Sequence, residues 1–201
     1  IPSLDDYPAI IPPYVTSEMK EGWKPYQRNP ETNVRYWAIP GTEGFQHRLG
    51  GLEKDYSTST ISTDPSNHQK MTIIRQAKID YIANCIPAQE VEGDADNADL
   101  LIVGWGGTYG HLHSAMEMMR EQGKKVALAH FKYIKPLPKN TAEILKKYRK
   151  IVVAEQNMGQ FAAILCARVL GITLCPFNRV KGQPFNVVRL VEEFTKIWEE
   201  R

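Results

Sequence analysis

Glu155 closes an apolar, strand-like run, Ile151-Val152-Val153-Ala154, just before a helical segment. In an open parallel sheet that end gathers ligands and catalytic groups, so Glu155 is a candidate acid or base. No second titratable group at a matching spacing supports it. The plainer role is to accept hydrogen bonds from the amides that open the next helix. A second candidate is Gly104-Trp105-Gly106-Gly107-Thr108-Tyr109-Gly110, which follows the run Leu100–Val103. Glycines before a helix N-terminus invite an anion. Counted from Gly104, however, the third glycine of Gly-x-Gly-x-x-Gly falls on Tyr109, and no Lys-Ser/Thr pair follows. A dinucleotide fingerprint and a P-loop both fail on that spacing, and a tight structural turn competes with phosphate binding. The third candidate, Lys181-Gly182-Gln183-Pro184-Phe185, joins a cation, a permissive glycine and an aromatic ring. It is either a contact loop or, through Phe185 packing on Leu190, a hydrophobic staple for the last helix.

Other chemistries find less support. His111 and His113 stand two apart at a helix start and face different directions, while His47, His68 and His130 are scattered, so no metal site is expected. No Gly-x-Ser-x-Gly elbow is present. Cys85, Cys166 and Cys175 form no Cys-x-x-Cys pair and are expected to be buried thiols. Any iron–sulfur cluster involved must then be held elsewhere.

The elements that position these residues alternate between strands and helices. Asp64-Pro65 predicts an N-cap and first helical residue, with a helix to about Asn84 carrying Met71, Ile74, Ala77 and Tyr81 near one face. Residues 85–97 form an acidic connection in which Ala88 to Val91 adds a short edge strand. The strand Asp99–Val103 leads into a helix with Leu112, Ala115, Met116 and Met119 as its buried stripe and Gly123 beyond its end. Further strands are expected at 125–131, 151–154 and 172–175, and helices at 141–148, 161–170 and from Asn186 onward. The 161–170 helix is apolar nearly all round, which predicts burial or an interface. Such alternation predicts a three-layer α/β/α domain on a mostly parallel sheet of about five strands, over residues 64–201.

Before it, residues 1–63 hold seven of the 13 prolines together with many aromatics. That density of proline excludes a sustained helix, and the aromatics argue against disorder, so an extended arm packed against a neighbour is expected. The sequence begins with Ile1 rather than methionine, which suggests a piece of a longer polypeptide. A formal charge of +2 from 25 basic and 23 acidic residues, without a basic and aromatic tract, points away from nucleic acid. No apolar run is long enough for a bilayer and no signal peptide is evident, so a soluble, cytoplasmic protein is expected.

Five runs in this order carry a resemblance: Trp37–Thr42 with His47–Glu53, Asp64–His68 with Met71, Gly104–Gly110, Glu155–Gln160 and Lys181–Phe185. Together they resemble the C-terminal part of the alpha subunit of 2-oxoacid:ferredoxin oxidoreductases, the 2-oxoglutarate type in particular. That resemblance implies a domain like the transketolase C-terminal domain, with an added antiparallel edge strand. It makes residues 1–63 the tail of an absent pyrimidine-binding domain. It further implies coenzyme A-dependent oxidative decarboxylation using thiamine diphosphate, magnesium and iron–sulfur clusters, with ferredoxin as acceptor and a beta subunit as partner. The magnesium-diphosphate motif expected of the beta subunit is missing here, so no catalytic, cofactor-binding or metal residue is carried over. This piece is then an inactive assembly domain. Its interface candidates are Gly104, Gly106, Gly107, Tyr109, Glu155, Asn157, Gln160, Lys181, Gly182, Pro184 and Phe185. The rival from another class is a free-standing nucleotide-binding module using the Gly104–Gly110 turn.

Overall fold

The structure is a computed structural model that describes residues 13–200; the first twelve residues of the expected arm and Arg201 lie outside the described residues. The chain divides into two compact units after Ile82. That division falls one helix later than the boundary expected near residue 63.

In the first unit, helix α1 spans Pro65–Tyr81. The Asp64 carboxylate accepts from the Asn67 amide at 2.7 Å, which is the N-cap that Asp-Pro predicts. Asn67 explains why α1 belongs with the preceding residues. Its side chain is buried, accepts from the Tyr56 amide at 2.9 Å and donates to the Lys54 carbonyl at 3.1 Å. Upstream of α1 the described residues form a single 3₁₀ turn, Ser17–Lys20, and three isolated bridges, Tyr14 with Trp37, Arg28 with Arg35, and Lys54 with Ile61. Proline density has excluded helix there, as expected.

The second unit is a five-stranded sheet between helices. Its strands are β1 (Glu92–Gly93), β2 (Leu100–Trp105), β3 (Val126–Phe131), β4 (Ile151–Glu155) and β5 (Cys175–Asn178), in the order β1-β3-β2-β4-β5. Only β1 is antiparallel. Four helices follow strands or loops: α2 (Tyr109–Glu121), α3 (Thr141–Lys147), α4 (Gln160–Arg168) and α5 (Val187–Glu199).

Strand alternation sorts the core into two layers. Leu100 and Ile102 face a cluster with Leu112, Met116 and Met119 of α2 and Leu190 and Phe194 of α5. Leu101 and Val103 face Ile144 and Leu145 of α3 and Phe161 and Leu165 of α4. Both faces of β2 are covered, so its unbroken apolar sequence is what a central parallel strand requires. The α/β/α class and the mostly parallel five-stranded sheet are therefore as expected.

Three details differ. The edge strand lies at Glu92–Gly93 rather than Ala88–Val91, because the Gln89 backbone exchanges hydrogen bonds with the Asn140 side chain (2.8 and 2.9 Å) instead of a strand. β5 begins at Cys175 rather than Ile172, because Phe177 must enter the core between Phe185 and Phe194, at ring separations of 5.8 and 5.5 Å. Cys85 and Cys166 are exposed and Cys175 half-buried, against the expected buried thiols. Cys85 follows α1 in a connection, and Cys166 lies on the outer side of α4.

Candidate functional site

The carboxyl ends of β2, β3 and β4 gather most of the side chains singled out from the sequence. Two clusters form there, one around a carboxylate and one around an imidazole and a phenol.

Glu155 is the last residue of β4 and is fully buried. Its Oε2 accepts from the Phe161 amide at 2.8 Å, the Asn157 side-chain amide at 2.9 Å and the Trp105 indole at 3.2 Å; its Oε1 accepts from the Ala162 amide at 2.9 Å. The Phe161 and Ala162 amides belong to the first turn of α4, whose donors have no partner within the helix. A carboxylate at that position satisfies them and sits at the positive end of the helix dipole. Every contact is a donor directed at a side-chain oxygen, so Glu155 anchors a helix, the plainer of its two expected roles.

Asn157 continues the same arrangement. Its Oδ1 accepts from the amides of Gly159 at 2.7 Å and Gln160 at 3.1 Å, bending the chain into α4. Gly159 has φ +93°, a left-handed conformation that favours glycine, and its Cα lies close to the Asn178 side-chain amide. Gln160 is exposed. Gln156 Nε2 donates to the Gln183 carbonyl at 2.8 Å, which ties the 155–160 loop to the 181–185 loop. Lys181, Gly182 and Pro184 are exposed, whereas Phe185 is buried in the cluster containing Leu190. Asn186 caps α5 by accepting from the Arg189 amide at 3.1 Å, so Phe185 stands at the staple position before the cap.

The Gly104–Gly110 turn is built by packing and backbone geometry. A Cβ on Gly104 would lie 2.1 Å from Leu112 Cδ1 and 3.0 Å from Thr108 Oγ1, so glycine lets α2 close onto β2. Gly106 has φ +61°, and with Gly107 and Thr108 it forms a 3₁₀ turn. The Thr108 hydroxyl turns back to donate to the Trp105 carbonyl at 2.8 Å.

Tyr109 opens the second cluster. Its hydroxyl donates to Glu92 at 3.0 Å, and its ring lies 5.2 Å from His130 and 5.5 Å from His113. Glu92 also faces His113 Nε2 at 3.5 Å. A groove of about 660 Å³ opens beside them, with Gln89, Lys132 and Tyr133 among its lining residues. Burial holds the His130 imidazole below its ordinary pKa, outweighing the nearby Gly106 and Trp105 backbone. The hydrogen bond to Glu92 holds the Tyr109 phenol above its own.

His130 and Glu92 were not legible as site residues. His130 nevertheless lies one residue from the end of β3, the placement that singled out Glu155, and the same rule would have found it. Glu92 meets Tyr109 only because β1 returns along β3.

Residues 98–181 match the family model for pyruvate:ferredoxin oxidoreductase core domain II. The 2-oxoglutarate oxidoreductase subunit KorA of Mycobacterium tuberculosis is 40% identical over 185 residues, covering 92% of this chain and 28% of that relative. The chain is similar in sequence to part of 2-oxoacid oxidoreductase alpha subunits. Subunit alpha of 2-oxoacid:ferredoxin oxidoreductase 2 from Aeropyrum pernix is 30% identical, over 86% of this chain and 29% of the relative. Among solved structures, the 2-oxoglutarate:ferredoxin oxidoreductase from Magnetococcus marinus, with 2-oxoglutarate, coenzyme A and succinyl-CoA bound, superposes with a TM-score of 0.88 at 26% identity. That match covers 98% of this chain and 34% of the other. The chain thus spans about three-tenths of the length of the curated relatives it matches. Among the described residues, no helix is long and apolar enough to cross a membrane.

Proposed function

We propose that these 201 residues are the C-terminal part of the alpha subunit of a 2-oxoglutarate:ferredoxin oxidoreductase, and that they serve assembly rather than chemistry. The whole enzyme carries out coenzyme A-dependent oxidative decarboxylation in the cytoplasm, with thiamine diphosphate, magnesium and iron–sulfur clusters held outside this chain. The loops Gly104–Gly110, Glu155–Gln160 and Lys181–Phe185 face the beta subunit or neighbouring domains. Residues 1–63 continue an upstream domain.

The observation that carries this reading is the state of Glu155. The one acid at a strand end that the sequence nominated for catalysis has both oxygens engaged by four donors. An acid–base catalyst needs a lone pair or proton free to meet substrate. The nucleotide-binding rival loses its support in the same way, since Gly104 serves helix packing and the Thr108 hydroxyl is engaged with Trp105. Among the described residues there is no grouping of three His, Cys, Asp or Glu side chains able to hold a metal ion.

Calorimetry of the isolated chain with thiamine diphosphate and magnesium is the test. No binding heat is expected, while the complete alpha subunit with its beta partner binds the cofactor and turns over 2-oxoglutarate. Tight binding to the isolated chain would overturn the assignment.

A further inference from the structure

The first unit is short of a core. Among its described residues only Phe45, Lys54, Asn67 and Met71 are buried, and two of these four are polar. Trp37 and Ile39 remain 55% and 56% exposed, and Leu49, Leu52 and Ile61 are exposed as well. Scattered exposed apolar residues are ordinary, but a unit that exposes this many around so small a core is missing a covering surface.

Several of these residues line one groove of about 650 Å³, between Trp23, Arg35, Trp37, Ile39, Phe45 and Leu49. Trp23 packs edge-on against Phe45 at 5.3 Å and His47 at 5.0 Å, forming an aromatic floor. Two donors within it are buried without a hydrogen-bond partner: Trp23 Nε1 and Arg35 Nε. A buried N–H left unpaired is costly, so a matching occupant supplies acceptors.

The charges specify that occupant further. Arg35 stands opposite Arg28 in an antiparallel bridge and over the Tyr26 ring at 4.5 Å, and neither arginine makes an ion pair among the described residues. Like charges facing each other across a bridge repel. Burial, then Arg35 and Arg75, hold the Arg28 guanidinium below its ordinary pKa. A second copy of this chain would bring the same arginines to the same place and add repulsion. An acidic segment would relieve it.

We propose that the groove around Trp23, Arg35, Trp37 and Ile39 is the seat of polypeptide from the same alpha subunit lying outside these 201 residues. That segment presents an apolar side chain beside carbonyl or carboxylate oxygens. The relatives are more than three times the length that this chain covers, so such polypeptide is at hand. A unit with so small a core is not stable before its covering surface arrives. A segment of the same chain arrives with it, whereas a separate subunit must diffuse. The inference rests on this chain being part of a longer alpha subunit.

The test places the photo-crosslinker p-benzoylphenylalanine at Ile39 in the complete oxidoreductase complex. Irradiation and peptide mass spectrometry are expected to yield a crosslink to an Asp- or Glu-containing alpha-subunit peptide outside these 201 residues. Crosslinks to the beta subunit, to a second copy or within these residues alone, or none at all, overturn the proposal. In parallel, Arg35→Glu in the complex is expected to speed chymotryptic cleavage within residues 13–82 about tenfold, because proteolysis tracks the opened population. An unchanged rate also overturns it. An active complex in which these outcomes fail leaves the oxidoreductase assignment intact and removes only the groove's occupant.

Discussion

The Trp105 indole donates to Glu155 Oε2 at 3.2 Å, joining the ends of two adjacent parallel strands, β2 and β4, through side chains fifty residues apart. The same carboxylate holds the first turn of α4, so one side chain fixes a strand, its neighbour and the following helix. Glu155→Ala would orphan buried donors and should destabilise the domain by about 3 kcal/mol or more, since hydrogen bonds to charged groups contribute about 1.5–3 kcal/mol each. Urea unfolding of the variant checks this. A loss under about 1 kcal/mol would mean that water replaces the carboxylate.

Gly104→Ala places a methyl group 2.1 Å from Leu112 Cδ1. Overpacking of this kind costs about 1–3 kcal/mol. Leu112→Ala alone is also expected to destabilise, by about 2–5 kcal/mol. The double variant should be less destabilised than the two losses added, because the cavity accepts the methyl. Simple additivity in a double-mutant cycle would show that the two sites do not touch.

His130 and Tyr109 give opposite pH signatures. Burial depresses the folded pKa of His130 below 6.5, so its contribution to stability is present above that value and is lost as pH falls toward the depressed one. Glu92 raises the folded pKa of Tyr109 above 10.0; its contribution is present below that value and is lost as pH rises through the raised one. His130→Gln should flatten the acid limb, and Glu92→Gln should lower the phenol titration seen by ultraviolet absorbance. An imidazole resonance titrating at or above the ordinary histidine value would contradict the first.

The two side-chain caps are independent tests of local order. Asp64→Ala and Asn186→Ala each remove an acceptor from a helix N-terminus, at 2.7 and 3.1 Å. Each should cost about 1 kcal/mol. Hydrogen exchange should show faster amides in α1 for the first variant and in α5 for the second.

Thiol labelling under native conditions should modify Cys85 and Cys166 quickly and Cys175 slowly, following their exposure. Equal, slow labelling of all three would restore the expectation of buried thiols.

How much of this was legible in advance followed from how local each cause is. Asp64-Pro65, Asn186 and Gly123 mark helix ends through contacts within a few residues, so a short stretch of sequence is enough to identify them. The apolar run of β2 is written for burial on both faces and shows it. β5 was misplaced because its register is decided by Phe177 meeting Phe185 and Phe194, contacts that only the folded chain creates. Glu155 was nominated from its strand-end position, and two of its partners, the α4 amides, were foreseeable. Its bond to Trp105 and the meeting of Tyr109 with Glu92 and His130 depend on which strands lie side by side, which the sequence pattern does not state.

The sheet's two borders constrain how this domain can join anything else. On one side β1 pairs for only two residues and turns away at Gly93, where a Cβ would strike the Val126 carbonyl at 2.6 Å. On the other, β5 carries Pro176, which has no N–H to offer an incoming strand. Both borders are blunted against strand addition, which disfavours edge-to-edge aggregation. With backbone pairing disfavoured at both borders, the surfaces this domain offers a partner are the side chains on its loops and helices, read by shape and charge.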